Sequence, residues 1–152
     1  MNFEYFNPHP EGLIIGDCAI RAGVVASNYN YYDVEKKLKG NKIYLIIDGY
    51  KELGGITIEF PRVPVNVVCN LCEKYSQYNY ILIFDTHCAG IRENTIYDLF
   101  DCRIKNKNVN YLTIFKATND EIEMLKRELK LLIEDYIIDK MMKENMLKEN
   151  RL

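Results

Sequence analysis

The spacing of apolar residues changes several times along the chain, and each change predicts an element. Residues 1–16 have no regular period and are punctuated by Pro8, Pro10, Gly12 and Gly16, which reads as an extended lead-in. Cys18, Ala19, Ala22, Val25 and Ala26 then recur at helical spacing, predicting a helix to about Ser27 with Asp17 as its N-cap. Such small side chains suit a central helix that its neighbours approach closely. A second amphipathic helix is predicted over Tyr32–Lys39, stopped by Gly40. Lys42–Asp48 (KIYLIID) reads as a strand that turns at Asp48-Gly49. Gly55–Phe60 (GITIEF) reads as another, after which Pro61 and Pro64 break the chain. Val65, Val68, Cys69, Cys72 and Tyr75 return to the helical period and predict a helix over 65–76.

The pattern shortens again from Tyr78 to Ile104. Tyr80–Phe84 is a nearly continuous apolar strand and His87–Ile91 a second. Glu93-Asn94 is a tight turn, and Thr95–Phe100 is the return strand of an antiparallel meander. Tyr111–Ala117 adds one more strand. Thr118–Glu121 is a capping-box pattern. Behind it, Ile122, Leu125, Leu129, Leu132 and Tyr136 alternate steps of three and four, predicting one long helix to about residue 148. Its stripe either packs along its own domain or pairs with a second copy, and its Lys/Glu pairs read as a solvated face. The predicted class is α+β, with a domain over residues 1–117 and a C-terminal helical extension over 118–152.

Composition narrows the functional classes. At 152 residues the chain is long enough to bury a core without disulfides or metal. Its 20 basic and 22 acidic side chains give a net charge of -2, which argues against nucleic acid as a partner. No stretch approaches the ~20 apolar residues of a membrane span, and the start shows no signal-peptide pattern. The expectation is a cytoplasmic protein with no membrane partner. Five cysteines at irregular spacing read as reduced thiols rather than a disulfide framework. Abundant Tyr, Asn, Lys and Ile often accompany AT-rich coding.

Cys18, His87 and Asp98 form the constellation with the most chemistry. A cysteine opening a helix feels the positive end of the helix dipole, which favours the thiolate. His87 and Asp98 lie on paired strands across the Glu93-Asn94 turn, so the carboxylate can hold one imidazole nitrogen and leave the other for the thiol. The order and setting resemble the papain-like cysteine peptidase fold. The resemblance is closest to small papain-like proteins of phages and mobile elements in low-GC bacteria. It rests on Asn7-Pro8, on Gly16-Asp17-Cys18-Ala19-Ile20-Arg21-Ala22, and on His87 followed by Tyr97-Asp98-Leu99-Phe100-Asp101. The Asp-Cys pair is also similar to that of bacteriocin-processing peptidases, which share the fold.

The resemblance implies a Cys-bearing helix packed on an antiparallel sheet. It implies Cys18 as nucleophile, His87 as general base and Asp98 as orienting acid, with Asp101 the second candidate for that third role. It further implies a thiol hydrolase or acyl-transfer activity on an amide or peptide bond, a protein or peptide substrate, and no cofactor or metal. A bacterial cytoplasm follows, or a host cytoplasm if the protein is phage-derived. Papain-like enzymes usually place a Gln several residues before the Cys to complete the oxyanion hole. Pro10–Leu13 holds none, and Asn7 is the nearest amide that can substitute. Phe100 stands where relatives often have Trp. The alternative function is a catalytically weak or inactive scaffold that binds a protein, with homo-oligomer formation open through the C-terminal helix.

Other readings of these residues are plainer. Cys18 and His87 can be core residues without duty, and His9 an exposed loop residue. Arg21 reads as a salt-bridge partner. Cys69 and Cys72 form a CxxC that, with Cys88, Cys102 and His87, could make a small zinc site, but both thiols fall on the apolar side of a helix and no second CxxC exists.

Overall fold

The structure is a computed structural model that describes residues 1–104 and 107–151. In chain order its elements are β1 (Asn2–Tyr5), α1 (Cys18–Ser27), α2 (Tyr31–Lys37) and α3 (Ile43–Glu52). Then come β2 (Ile56–Pro64), α4 (Val65–Lys74), β3 (Asn79–Ile83), β4 (Cys88–Arg92), β5 (Thr95–Asp98), β6 (Asn108–Phe115) and α5 (Asn119–Asn150).

The continuous apolar run Asn79–Ile83 sets the architecture, because every residue of β3 is buried. A strand can bury both faces only with layers on either side. Tyr80 and Leu82 enter one core, walled by α4 and α5, while Ile81 and Ile83 enter the other, under α1 and α3. The strands form one six-stranded sheet in the order β1-β5-β4-β3-β6-β2. β1 runs parallel to β5, and the remaining pairs are antiparallel. The molecule is thus a mixed α+β fold with helices on both faces of the sheet. Each large side chain buried in it contributes about 1.5–3 kcal/mol.

The meander forms as its sequence predicts. Glu93 and Asn94 both take positive φ, 51° and 56°, which matches the two-residue hairpin turn between β4 and β5. α1 lies across β4 and β3. The approach is close enough that a Cβ on Gly90 would stand 2.6 Å from Val25 Cβ and 3.0 Å from the Ala22 carbonyl oxygen. Thr118 and Glu121 complete the predicted capping box of α5. The first half of α5 buries Ile122, Leu125, Leu129 and Ile133 in the same core as β3 and β6, so the C-terminal segment shares the core of residues 58–114. Its second half carries exposed Ile138, Met141, Met142, Met146 and Leu147.

Three expectations are overturned. KIYLIID is the start of helix α3, not a strand, and Gly49 is no turn. Its apolar run fits either period. The inward positions Ile46, Gly49, Tyr50 and Leu53 are helical, and Tyr44 is 57% exposed. The backbone of α2 passes so near that a Cβ on Gly49 would stand 2.8 Å from the Lys37 carbonyl oxygen. Second, Pro61 does not break the strand; β2 runs through it and ends at Pro64. It is an edge strand with a register shift between Glu59 and Val63, where a missing N–H breaks no ladder. Third, the lead-in contains a strand, Asn2–Tyr5, paired to β5 from Asn2↔Thr95 to Tyr5↔Asp98. No helix among the described residues is long and apolar enough to cross a membrane.

Candidate functional site

The start of α1 is fixed by the loop before it. Asn7 Nδ2 donates to the carbonyls of Gly12 at 3.3 Å and Leu13 at 3.1 Å, and its Oδ1 accepts the His9 N–H at 3.1 Å. His9 Nδ1 accepts the N–H groups of Glu11 at 3.1 Å and Leu13 at 3.4 Å, and its ring meets Tyr31 edge-on. His9 is therefore a half-buried anchor of the loop, not an exposed residue. The Asn7 amide is engaged by its own loop and does not line the cleft beside Cys18.

Asp17 stands at the N-cap position, but its side chain caps no helix N–H. It accepts instead from Arg21 Nη1 and, at 2.8 Å, from the Tyr31 hydroxyl. The reason is electrostatic. Arg21 is 4% exposed, and a buried guanidinium is tolerable only beside carboxylates. Arg21 Nη2 also approaches Asp98 Oδ1 at 3.4 Å, and Nη1 donates to the Ile15 carbonyl at 3.3 Å. One cation thus joins the lead-in, α1 and β5. The first N–H groups of α1, left without a side-chain acceptor, stay available at the cleft wall.

Asp98 closes β5 and is 2% exposed. Its Oδ2 meets His87 Nε2 at 2.6 Å, and its Oδ1 accepts the Leu99 N–H at 2.7 Å. The His87 ring is stacked on Phe100 with centroids 4.8 Å apart, and Phe84 lies on its other flank at 6.1 Å. With Nε2 on the carboxylate, Nδ1 is the nitrogen left for the thiol, and Cys18 and His87 line the same cleft. The structure thus places Cys18 and His87 on one cleft, with Asp98 bonded to the far nitrogen of the ring.

Cys18 packs against the core cluster to which Cys88 belongs, and Cys88 lines the same cleft. Its thiol hydrogen bond is the largest influence on Cys18. Burial opposes it and His87 reinforces it, and the result brings Cys18 down to about 4. For His87, burial disfavours the charged ring, but the hydrogen bonds to Asp98 and Cys18 outweigh it and lift His87 to about 9. Cys88 itself is pushed well above the ordinary thiol range, first by its bond to Cys18 and then by burial. At neutral pH the site accordingly holds a thiolate beside an imidazolium, with a protonated thiol donating to the thiolate. That pair can attack an electrophilic carbon and return a proton to a leaving group.

The thiolate opens on a cleft of about 440 Å³. One wall is the start of α1, Gly16 to Ile20. The other is Ile83 to Cys88, from the end of β3 into β4. Leu38, Ile43 and Ile46 supply an apolar floor, with Gly40 and Asn41 at its edge.

Asp101 lies elsewhere. It clasps Arg103 through Nε at 2.9 Å and Nη2 at 2.7 Å, and Arg103 in turn donates to the Met1 carbonyl at 2.7 Å. This pairing, first of all the hydrogen bond from Arg103, holds Asp101 below its usual range. Cys69, Cys72 and Cys102 lie in the core walled by α4 and α5, while Cys88 belongs to the opposite one, so the thiols of the zinc alternative do not converge. Among the described residues no group of three or more His, Cys, Asp or Glu is placed to hold a metal ion.

Arg21 read as a salt-bridge partner, and it is one, to Asp17 and Asp98. Sequence reasoning missed Cys88 as a member of the site: it read only as one thiol of the zinc alternative, although it directly follows His87. Compared with known proteins, the chain matches no family model, no curated protein and no solved structure.

Proposed function

We propose that this protein is a papain-like thiol hydrolase or acyl-transfer enzyme, cleaving an amide or peptide bond through a thioester on Cys18. The observation that carries the reading is the Asp98–His87 hydrogen bond behind a cleft that both His87 and Cys18 line. The Cys18 thiolate attacks the scissile carbonyl carbon. The free N–H groups at the start of α1 receive the developing oxyanion. The His87 imidazolium gives its proton to the leaving amine, and the thioester remains. Neutral His87 then takes a proton from water, the hydroxide attacks the thioester, and the acid departs as the thiolate is restored. Asp98 keeps the ring oriented, and Phe100 and Phe84 hold its faces.

A second reading is a papain-like scaffold that binds protein without cleaving it, as an accessory of a phage or mobile element. The observation favouring it is the engagement of the Asn7 amide by its own loop, which removes that amide as an oxyanion donor. Losing one oxyanion donor costs about 10²–10³ in rate. Two measurements separate the readings. Iodoacetamide at neutral pH should label Cys18 ahead of the other four cysteines, and a digested peptide pool should gain new termini with the wild type but none with Cys18→Ala. Fast labelling with unchanged termini selects the binding scaffold, and equal labelling of every accessible thiol overturns both the thiolate and the enzyme.

A further inference from the structure

Hydrolysis through Cys18, His87 and Asp98 makes no use of a second sulfur, yet Cys88 lines the same cleft as the nucleophile, and Cys18 packs against the core cluster to which Cys88 belongs. The two thiols come from different elements. Cys18 opens α1 and is half-exposed in the cleft, whereas Cys88 opens β4 and is 4% exposed. The seating of α1 on β4 holds them together, and that seating is tight at Gly90, where Val25 and Ala22 leave no room for a Cβ. The three remaining cysteines lie across the sheet in the other core, each pushed above its ordinary range chiefly by burial. One thiol is thus accessible and ionised, one lies behind it as a partner, and the rest are out of reach.

We propose that Cys18 and Cys88 form a peroxide-responsive dithiol site, in which a small hydroperoxide converts the pair to a reversible disulfide that removes the nucleophile. The chemistry balances in two steps. The Cys18 thiolate attacks the near oxygen of the hydroperoxide and the O–O bond breaks. Cys18 becomes the sulfenic acid, and the departing hydroxide or alkoxide takes the proton of the His87 imidazolium and leaves as water or alcohol. Cys88 then attacks the Cys18 sulfur, the S–O bond breaks, and the Cys88 proton leaves with that hydroxide as water. Sulfur is oxidised and the peroxide oxygen reduced. A cellular dithiol reverses the bond by exchange. The inference rests on the placement of Cys18 and Cys88 on one cleft where α1 is seated on β4, not on the hydrolysis proposed above.

The cleft gives a small oxidant access to Cys18. A thiolate opening into about 440 Å³ admits hydrogen peroxide or a short alkyl hydroperoxide directly. The buried partner sulfur is shielded from the same reagent, so oxidation begins on Cys18 and ends on the pair.

The test is mass spectrometry of the full-length protein after graded hydrogen peroxide. No peptide cleavage is measured, so failure of the hydrolase reading leaves the result interpretable. The expected outcome in the wild type is loss of alkylatable Cys18, a linked peptide pair carrying Cys18 and Cys88, and full recovery with dithiothreitol. Cys88→Ala, under the same treatment, should accumulate dimedone-reactive Cys18 sulfenic acid and pass to the sulfinic acid without recovery. A wild-type protein that goes to sulfinic acid on Cys18 as fast as Cys88→Ala overturns the proposal. So does a disulfide that joins Cys18 to Cys69, Cys72 or Cys102, or to a second molecule. The wild-type arm decides the matter even if the variant does not fold.

Discussion

Asp98 has both carboxylate oxygens occupied, one by His87 and the other by the Leu99 N–H and the Arg21 guanidinium. The imidazole is therefore held from behind by a group that is itself held. The same arrangement sets the pH behaviour. Cys18 lies at about 4 and His87 at about 9, so the thiolate–imidazolium pair is the dominant form between those limits. Below the lower limit the thiolate takes up a proton and attack stops. Above the upper one the imidazolium loses the proton that the leaving amine needs. Hydrolysis should follow a bell with limbs near about 4 and about 9. Alkylation of Cys18 should share only the acid limb, since an alkylator needs the thiolate alone. His87→Ala should move that limb upward by removing the neighbouring cation, and should lower hydrolysis by about 10²–10⁴-fold. Stopped-flow alkylation across the pH range checks it; a Cys18 profile rising only near the ordinary thiol range would contradict the site.

At the scale of elements, the contact that matters most for the site is α1 on β4. Gly90→Ala inserts a methyl 2.6 Å from Val25 Cβ and 3.0 Å from the Ala22 carbonyl oxygen. The helix must move, because β4 is held on both sides by β3 and β5. Overpacking of this kind costs about 1–3 kcal/mol. The expected result is lower stability in urea together with slower Cys18 alkylation, since the displaced helix carries Cys18 away from His87. An unchanged alkylation rate in a destabilised protein would separate the packing from the chemistry. The elements also show what could be read before the structure. The hairpin of β4 and β5 was legible because a two-residue Glu-Asn turn between apolar runs has few alternatives. The capping box of α5 was legible for the same reason, being a local hydrogen-bond pattern. KIYLIID was not, since a short apolar run fits a strand or a helix until its neighbours choose the buried side. Nor was the strand at Asn2–Tyr5, whose residues are all exposed and whose order comes only from pairing with distant β5. In the site, the pairing of His87 with Asp98 was readable from the hairpin, and the Arg21–Asp17 pair from its one-turn spacing. The place of Cys88 beside the start of α1 was not, because it arises from packing across the fold.

On the scale of the whole molecule, the two cores and the sheet between them end at about Ile133 of α5. Beyond it the helix continues for several turns with apolar and charged side chains both exposed. A chain ending after Ile138 keeps all four buried side chains of α5. Its unfolding free energy should change by less than about 0.5 kcal/mol, as for surface changes generally, and Cys18 should keep its reactivity. Urea denaturation of the two lengths side by side tests this. A marked loss of stability, or a stability that depends on protein concentration only in the longer chain, would show that the distal turns are buried against a second copy.

The distance along the chain between the halves of the site has a consequence in time. Arg21 and Asp98 are 77 residues apart, and Cys18 waits almost as long for His87. At about 5–20 residues per second, a ribosome extends the chain for several seconds after the cysteine before the histidine and its carboxylate exist. Throughout that interval Cys18 is an ordinary thiol on an unpartnered segment, without the base that would make it attack a neighbour. On the proposed mechanism the nascent polypeptide is inert toward its surroundings, and reactivity is conferred late, when β4 and β5 close against the helix that was made first.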